Sequence, residues 1–558
     1  MKRLLSGLIA VAFAASLFAA SKGGDERGEI GNLEWLFRKG EMCIVGANGS
    51  LESVTSITVP PTIEGKTVTK IFKGAFKVCK NLVEVNLPDT ITIIDQGAFD
   101  GCKSLTEIKL PKSLITIGDS AFADCSLTEI IIPSNVKTIG SGAFKCNTLQ
   151  EIKILDAPVE IGENAFYCLN LVSVDLGKNV VSIGEKSFQY YPLDSFTMPD
   201  TVKSIGKYAF KDSALKTISL SKNLEVIGDG AFNNCKSLSS IEIPDTVKVL
   251  GKYAFLGCKN LRNVKLSNSL KTVQLGTFKG CSSLKEISIP DSVSVLETSF
   301  SDSCFEDCEK LERIKIGNSV KAIGEKLFYS CPKLRVVELP NSIKTIGDNA
   351  FSYTLIETLI IPDSVISIGN YAFSNCKQLK TVKLPDSVKK IGNSAFADCK
   401  SITEIPDGIE EIGDYAFSGC SGLINITVKN NVKYGRGCFG SHRIDKVVVE
   451  EGVESFDFDI FTASSPISDL SIGEMILPES VDDIHGNLSQ DFPFETLIIN
   501  SSELTSSVKF YSAHGCRIQN LYCNKAVYED NFAEVPNVFV NVKLLDSDET
   551  VVPPTKSY

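Results

Sequence analysis

Eighteen cysteines, three histidines and a recurring aspartate are the residues of this chain whose types could do chemistry. Thirteen cysteines stand two or three residues after a phenylalanine: Cys79, Cys102, Cys125, Cys146, Cys168, Cys235, Cys258, Cys281, Cys308, Cys331, Cys376, Cys399 and Cys420. Zinc needs four ligands around a point, and one sulfur per repeat supplies a line instead. Disulfides are the other use of a high cysteine count in a secreted chain, but Ser213 and Thr354 occupy the same slot in other repeats. A small, weakly polar buried group fits that exchange, so the spacing predicts a stack of buried thiols. Off the row, Cys516 and Cys523 are the pair best suited to a disulfide. The histidines, His442, His485 and His514, lie late in the chain. No H-x-x-x-H pair, G-x-S-x-G elbow or glycine-rich phosphate loop occurs. Asp89, Asp200, Asp245, Asp291, Asp363, Asp386 and Asp407 recur after a strand-ending position. Short acidic side chains there bond nearby turn backbone, which accounts for them without calcium. The residues predict no catalytic group, no metal site and no cofactor. Residues 440–558 are the one stretch where an enzyme site would fit.

These residues sit in a period. Residues 379–401 read LKTVKLPDSVKKIGNSAFADCKS, and the same pattern recurs with its phenylalanine at 76, 99, 122, 144, 166, 188, 210, 232, 255, 278, 305, 328, 351, 373, 396, 417 and 439. The spacing is 21 to 23 residues apart from 27 before Phe305. A period of 20–29 with this leucine spacing is that of leucine-rich repeats. The step Val382-Lys383-Leu384 alternates and predicts a short strand; Pro385 then ends it. Val388, Ile391, Ala395 and Phe396 point inward. Gly392 recurs four residues before phenylalanine in thirteen of seventeen units, which predicts either positive φ or close backbone approach. The surplus residues before Phe305 predict a loop over 297–304. The fold class expected is a mainly β repeat solenoid, a right-handed arc with short parallel strands on the concave face and turns or short helical turns on the convex side.

The phrase IPDSVxxIGxxAFxxC resembles the repeat of BspA-like leucine-rich-repeat surface proteins, found on bacterial and some protozoan surfaces, over about residues 51–450. Residues 57–76, with Glu64-Gly65-Lys66-Thr67-Val68, resemble that family's usual first unit. The resemblance implies an adhesin-like binding scaffold whose ligand is an extracellular protein or glycan, host matrix included.

Residues 1–21 read as a signal peptide: Lys2 and Arg3, an uncharged apolar stretch, then Ala19-Ala20-Ser21. Residues 22–50 then form an N-terminal cap with Trp35 and Phe37 as plugs, 51–450 the solenoid of about seventeen units, and 451–558 degenerate repeats and a C-terminal cap. The destination expected is secreted, at the cell surface or in a periplasm, with no transmembrane segment. The formal net charge of −11 leaves no basic surplus for nucleic acid. What remains for function is the outward face of the strands. The candidate ligand-binding residues are Glu107, Lys109, Glu129, Ile131, Glu151, Lys153, Lys265, Arg313, Lys315, Glu338 and Ile360. The alternatives are a self-assembling envelope protein and a secreted enzyme with its site near the late histidines.

Overall fold

The computed structural model describes residues 25–299, 301–462, 470–486, 493–502, 504, 517–533, 539–546 and 550–551. The chain divides into two compact units, Met1–Leu270 and Lys271–Tyr558. The segment read above as a signal peptide, His514 and Cys516 lie outside the described residues.

The first unit begins with an antiparallel meander, Glu26–Ile30, Leu33–Arg38 and Glu41–Ala47, whose last strand pairs in parallel with Lys66–Ile71. Trp35 is buried and Phe37 half-buried, the Lys66 ammonium lying 3.6 Å from the Phe37 ring centre. Most of the coils that follow contribute to two parallel ladders. The first holds the expected alternating strands, such as Glu129–Ile132 beside Glu151–Ile154 and Ser173–Asp175. The second is built from two-residue strands that alternation does not reveal, such as Thr116–Ile117, Thr138–Ile139 and Glu160–Ile161. Its isoleucines face in and stack, with Ile94, Ile117 and Ile139 all buried. The second unit repeats the plan, with first-ladder strands from Glu286–Ser288 to Thr381–Lys383 and second-ladder strands from Ala322–Ile323 to Lys433–Tyr434. Helix is confined to a 3₁₀ turn at Phe458–Phe461 and one α-helix at Lys525–Asn531 among the described residues.

The marker phenylalanines form a column in each unit. Phe99, Phe122 and Phe144 stack at 5.3 Å between ring centres, with planes 4° apart. In the second unit Phe396 lies 5.1 Å from Phe373 and 5.7 Å from Phe417. Where the 188 coil lacks cysteine, buried Tyr191 fills the slot, edge-on to Phe188 and Phe196.

The recurrent glycine is settled in favour of close approach. No glycine four residues before the phenylalanine has positive φ. A Cβ on Gly118 would instead meet Gln96 N at 2.5 Å, and one on Gly392 would meet Asn370 N at 2.6 Å. Positive φ falls two residues before and two after the phenylalanine. Ser394 (φ 50°) and Asp398 (φ 64°) show it, and Tyr208, Tyr253, Tyr371 and Tyr415 occupy the earlier of these positions. The Tyr208 and Tyr415 rings then lie where a Cβ on Gly230 or Gly437 of the next coil would stand.

The extra residues before Phe305 form a small turn closed by an antiparallel bridge between Thr298 and Ser303. Lys279 anchors it through Asp302 at 2.6 Å and Glu306 at 3.1 Å. Ser301 is exposed, while Ser303 and Cys304 are buried, Cys304 in the usual alanine slot.

Candidate functional site

The cysteine row is structural in a specific way. Eleven of the thirteen thiols in the row donate to the carbonyl of the marker phenylalanine one coil earlier; Cys125 does so to Phe99 at 3.1 Å, Cys258 to Phe232 at 3.1 Å, Cys331 to Phe305 at 3.2 Å and Cys399 to Phe373 at 3.3 Å. Ser213 and Thr354 turn to the neighbouring cysteine, at 3.1 Å from Cys235 and 3.4 Å from Cys376. All seventeen described cysteines are buried thiols, Cys523 among them. The proposed Cys516–Cys523 pairing lies outside the described residues. Burial pushes Cys79 up to about 11 and Cys331 to about 12. Thiolate is the reactive form, so a folded chain is expected to consume an aromatic disulfide reagent very slowly at neutral pH. Adding denaturant should release the whole row at once, read as absorbance of the liberated thiolate.

The recurring aspartates also bond differently from expectation. At Asp89, Asp200, Asp245 and Asp291 the partner is backbone of the next coil and not their own turn. Asp89 Oδ1 accepts from Lys112 N at 2.9 Å, Asp245 Oδ1 from Asn268 N at 2.9 Å and Asp291 Oδ1 from Asn318 N at 2.9 Å. This hydrogen bond holds Asp245 below the usual carboxylate range. These four bonds tie successive coils in register. No group of three His, Cys, Asp or Glu side chains that could hold a metal occurs among the described residues.

His442 is buried, with Nδ1 3.1 Å from Gly440 O and Nε2 3.2 Å from Leu423 O. Burial pushes its pKa below the ordinary 6.5, against the pull of the two carbonyls. The folded state therefore keeps the ring neutral at pH values where the unfolded chain binds a proton. The stability this contributes is present above 6.5 and lost as pH falls through the lower folded value. Urea midpoints should fall on acidification across this window, and His442→Gln should flatten that part of the profile.

His485 lies on a polar cleft of about 630 Å³ lined by Asn430, Asn431, Ser455, Asp457 and Tyr434. Its Nδ1 is 3.3 Å from Ser455 Oγ and its Nε2 3.6 Å from Asp457 Oδ2. Ser455 Oγ donates to Asp483 Oδ2 at 3.1 Å. These groups are cross-strand neighbours on the pair Ser455–Asp457 and Asp483–His485.

The candidate residues on the outward face of the first ladder are exposed in both units. In the first, Glu129 stands directly beside Glu151, and Ile131 beside Lys153. Ile131 is 48% exposed. Like charges set side by side on a sheet repel, and neither Glu129 nor Glu151 has an ion-pair partner among the described residues. Glu107 and Lys109 are exposed but lie outside the hydrogen-bonded strands. Lys265 sits beside Glu242 and pairs with it. In the second unit Lys315 lies beside Glu338, and Arg313 reaches Glu338 at 3.8 Å. Ile360 is 79% exposed next to Lys383. The ladder thus brings Glu129, Ile131, Glu151 and Lys153 together in one group and Arg313, Lys315 and Glu338 in another.

Coils of this kind, most of them opening on a leucine and carrying a short parallel strand, define a leucine-rich-repeat solenoid, mainly β and parallel with little helix. The family model for the BspA type leucine-rich-repeat region, six copies long, matches residues 69–192, 181–303, 298–405, 344–468 and 401–517. The chain belongs to this family. A leucine-rich repeat protein from Bacteroides ovatus is 25% identical, covering 72% of this chain and 94% of its own, with a TM-score of 0.44. A leucine rich cell surface protein from Faecalibacterium prausnitzii is 24% identical, covering 73% and 94%, with a TM-score of 0.34. No curated protein matches the chain. Such repeat proteins are typically non-enzymatic binding scaffolds, and this family points to a protein-binding one. No helix among the described residues is long and apolar enough to cross a membrane.

Proposed function

We propose that this chain is a secreted or surface-exposed adhesin-like scaffold that recognises an extracellular protein or glycan through the outward face of its first ladder. The supporting observation is the division of labour within each coil. Phenylalanine, cysteine, glycine and the turn aspartate are all consumed by contacts between coils. The outward strand positions have no packing duty, and at Glu129 and Glu151 they hold adjacent like charges that stability alone disfavours. A rigid sheet presenting such groups at fixed spacing binds with a small ordering cost. Mixed charge gives specificity and salt-sensitive association more than raw affinity.

The test is charge reversal in two blocks, Glu107 with Glu129 and Glu151, then Arg313 with Lys315, in binding to immobilised matrix proteins and glycans. At least one block should weaken binding tenfold or more while keeping the wild-type melting curve. Normal binding by both blocks, with binding lost on truncation after residue 440, would move the site to the C-terminal region. A secreted enzyme is the second reading, favoured by the cleft at His485. Its check is labelling of Ser455 by a fluorophosphonate, and absence of labelling sinks it.

A further inference from the structure

We propose that the seven-stranded sheet face at the end of the second unit packs against the same face of a second copy of this chain. The strands are Asn425–Val428, Arg443–Val449, Ser471–Leu477, Pro493–Ile499, Arg517–Cys523, Phe539–Leu544 and the short antiparallel Thr550–Val551. Their register sets Val448 beside Ile476, Ile476 beside Ile498, and Ile498 beside Tyr522. The neighbours of these residues along each strand, Val447, Met475, Leu497 and Leu521, are buried inside. The column Val448, Ile476, Ile498 and Tyr522 therefore lines the outer face, where all four are half-buried. The corresponding positions on earlier strands carry Lys153, Lys265, Lys315, Glu338 and Lys383, interrupted by the isolated Ile131 and Ile360, each of which lies beside a lysine. Four apolar outward residues in consecutive strands form a contiguous patch, and such patches mark contact surfaces.

The surroundings favour a copy over a charged partner. Beside the column run Lys446, Glu474, Thr496, Asn520 and Asn541. Lys446 pairs with Glu474 at 2.7 Å, and Asn541 Nδ2 donates to Asn520 Oδ1 at 3.0 Å. Arg443 pairs with Asp445 at 2.7 Å. These charges are matched within the face, and Lys543, beside Tyr522 at the end of the column, adds one charge with no ion pair among the described residues, so a second chain, although also of formal charge −11, meets little local repulsion. A two-fold pairing needs a self-complementary patch, and an apolar column flanked by amides and hydroxyls meets that condition in either direction along its length. The size agrees as well. Seven strands of up to seven residues cover roughly 700 Å² at ordinary strand spacing and rise, close to the ~800 Å² per partner of a standard interface. The column alone would be too small, and the whole face is needed.

Sedimentation equilibrium of the full chain tests this. A mass twice that of the monomer is expected at micromolar concentration. The double variant Ile476→Lys, Ile498→Lys should sediment as a monomer with an unchanged circular dichroism spectrum. Ile360→Lys, on a different sheet, should leave the dimer intact. If the double variant loses its β signal, Tyr522→Ser replaces it, with at least a tenfold weaker association expected. A monomer at every concentration overturns the proposal, and so does a dimer that survives the face variants with full affinity.

Discussion

Phe396→Ala is expected to lower stability by about 3–5 kcal/mol, the range for removing a buried phenyl ring, while Cys399→Ser costs about 1 kcal/mol or less, the size of one net hydrogen bond. The two residues lie three apart in one coil, are both fully buried, and differ in what the fold asks of them. Phe396 is one member of a stacked column, with parallel neighbours 5.1 and 5.7 Å away. Removing it leaves a ring-sized void that both neighbours line, and close-packed coils tied by backbone bonds, such as Phe396 N to Ala416 O at 2.8 Å, collapse poorly into it. Cys399 fills a small space and donates to Phe373 O. A serine hydroxyl reaches a similar acceptor, as Thr354 does at Phe351 O, 2.8 Å away. Urea melts of the two variants under one buffer decide the matter. Losses of equal size would mean that the thiols carry structural bonds beyond the carbonyl contacts.

The same contrast shows what was legible in the sequence. Residues repeated as one type, Phe396 in every unit and Gly392 in thirteen of seventeen, announce themselves because packing rarely admits a substitute. The second ladder escaped notice because a two-residue strand has one inward position, Ile391, and no alternation to read. The left-handed positions escaped because the fold fills them with Ser394, Asp398, Asn349, Tyr371 and Gly97 alike, so no single residue type marks them. The aspartates were seen, but a side chain that reaches its own turn and one that reaches the next coil look identical in a linear pattern. Of the candidate binding residues, outward direction was legible from strand period alone. Grouping was not, because it depends on which strands hydrogen-bond, and Glu107 and Lys109 fall outside the ladder. The apolar column from Val448 to Tyr522 lay hidden where the glycine and phenylalanine marks fade and the eye loses register.

Gly392→Ala is expected to destabilise the second unit by about 3 kcal/mol or more, the upper end of what overpacking costs, although it adds a single methyl group. The new Cβ would stand 2.6 Å from both Gly369 C and Asn370 N, and 2.8 Å from Asn370 Oδ1. Two of these atoms are backbone of the preceding coil and cannot rotate away. That coil is fixed from both sides of the clash, by Gly392 N donating to Ile368 O at 2.9 Å and by Asn393 N donating to Asn370 Oδ1 at 2.8 Å. Relief requires parting the coils, which breaks these bonds together. Gly97→Ala is the informative control. Gly97 has φ of 61°, so the substitution is strained, yet its Cβ would meet nothing nearer than Asp100 Cβ at 3.7 Å. Left-handed strain costs about 1–2 kcal/mol for an ordinary residue, and Ser120 and Ser394 already bear it at the equivalent place. Close approach should therefore outweigh positive φ, with the urea midpoint of the Gly392 variant falling well below that of the Gly97 variant. The reverse order would show that the stack gives way between coils more readily than its backbone tolerates a left-handed side chain.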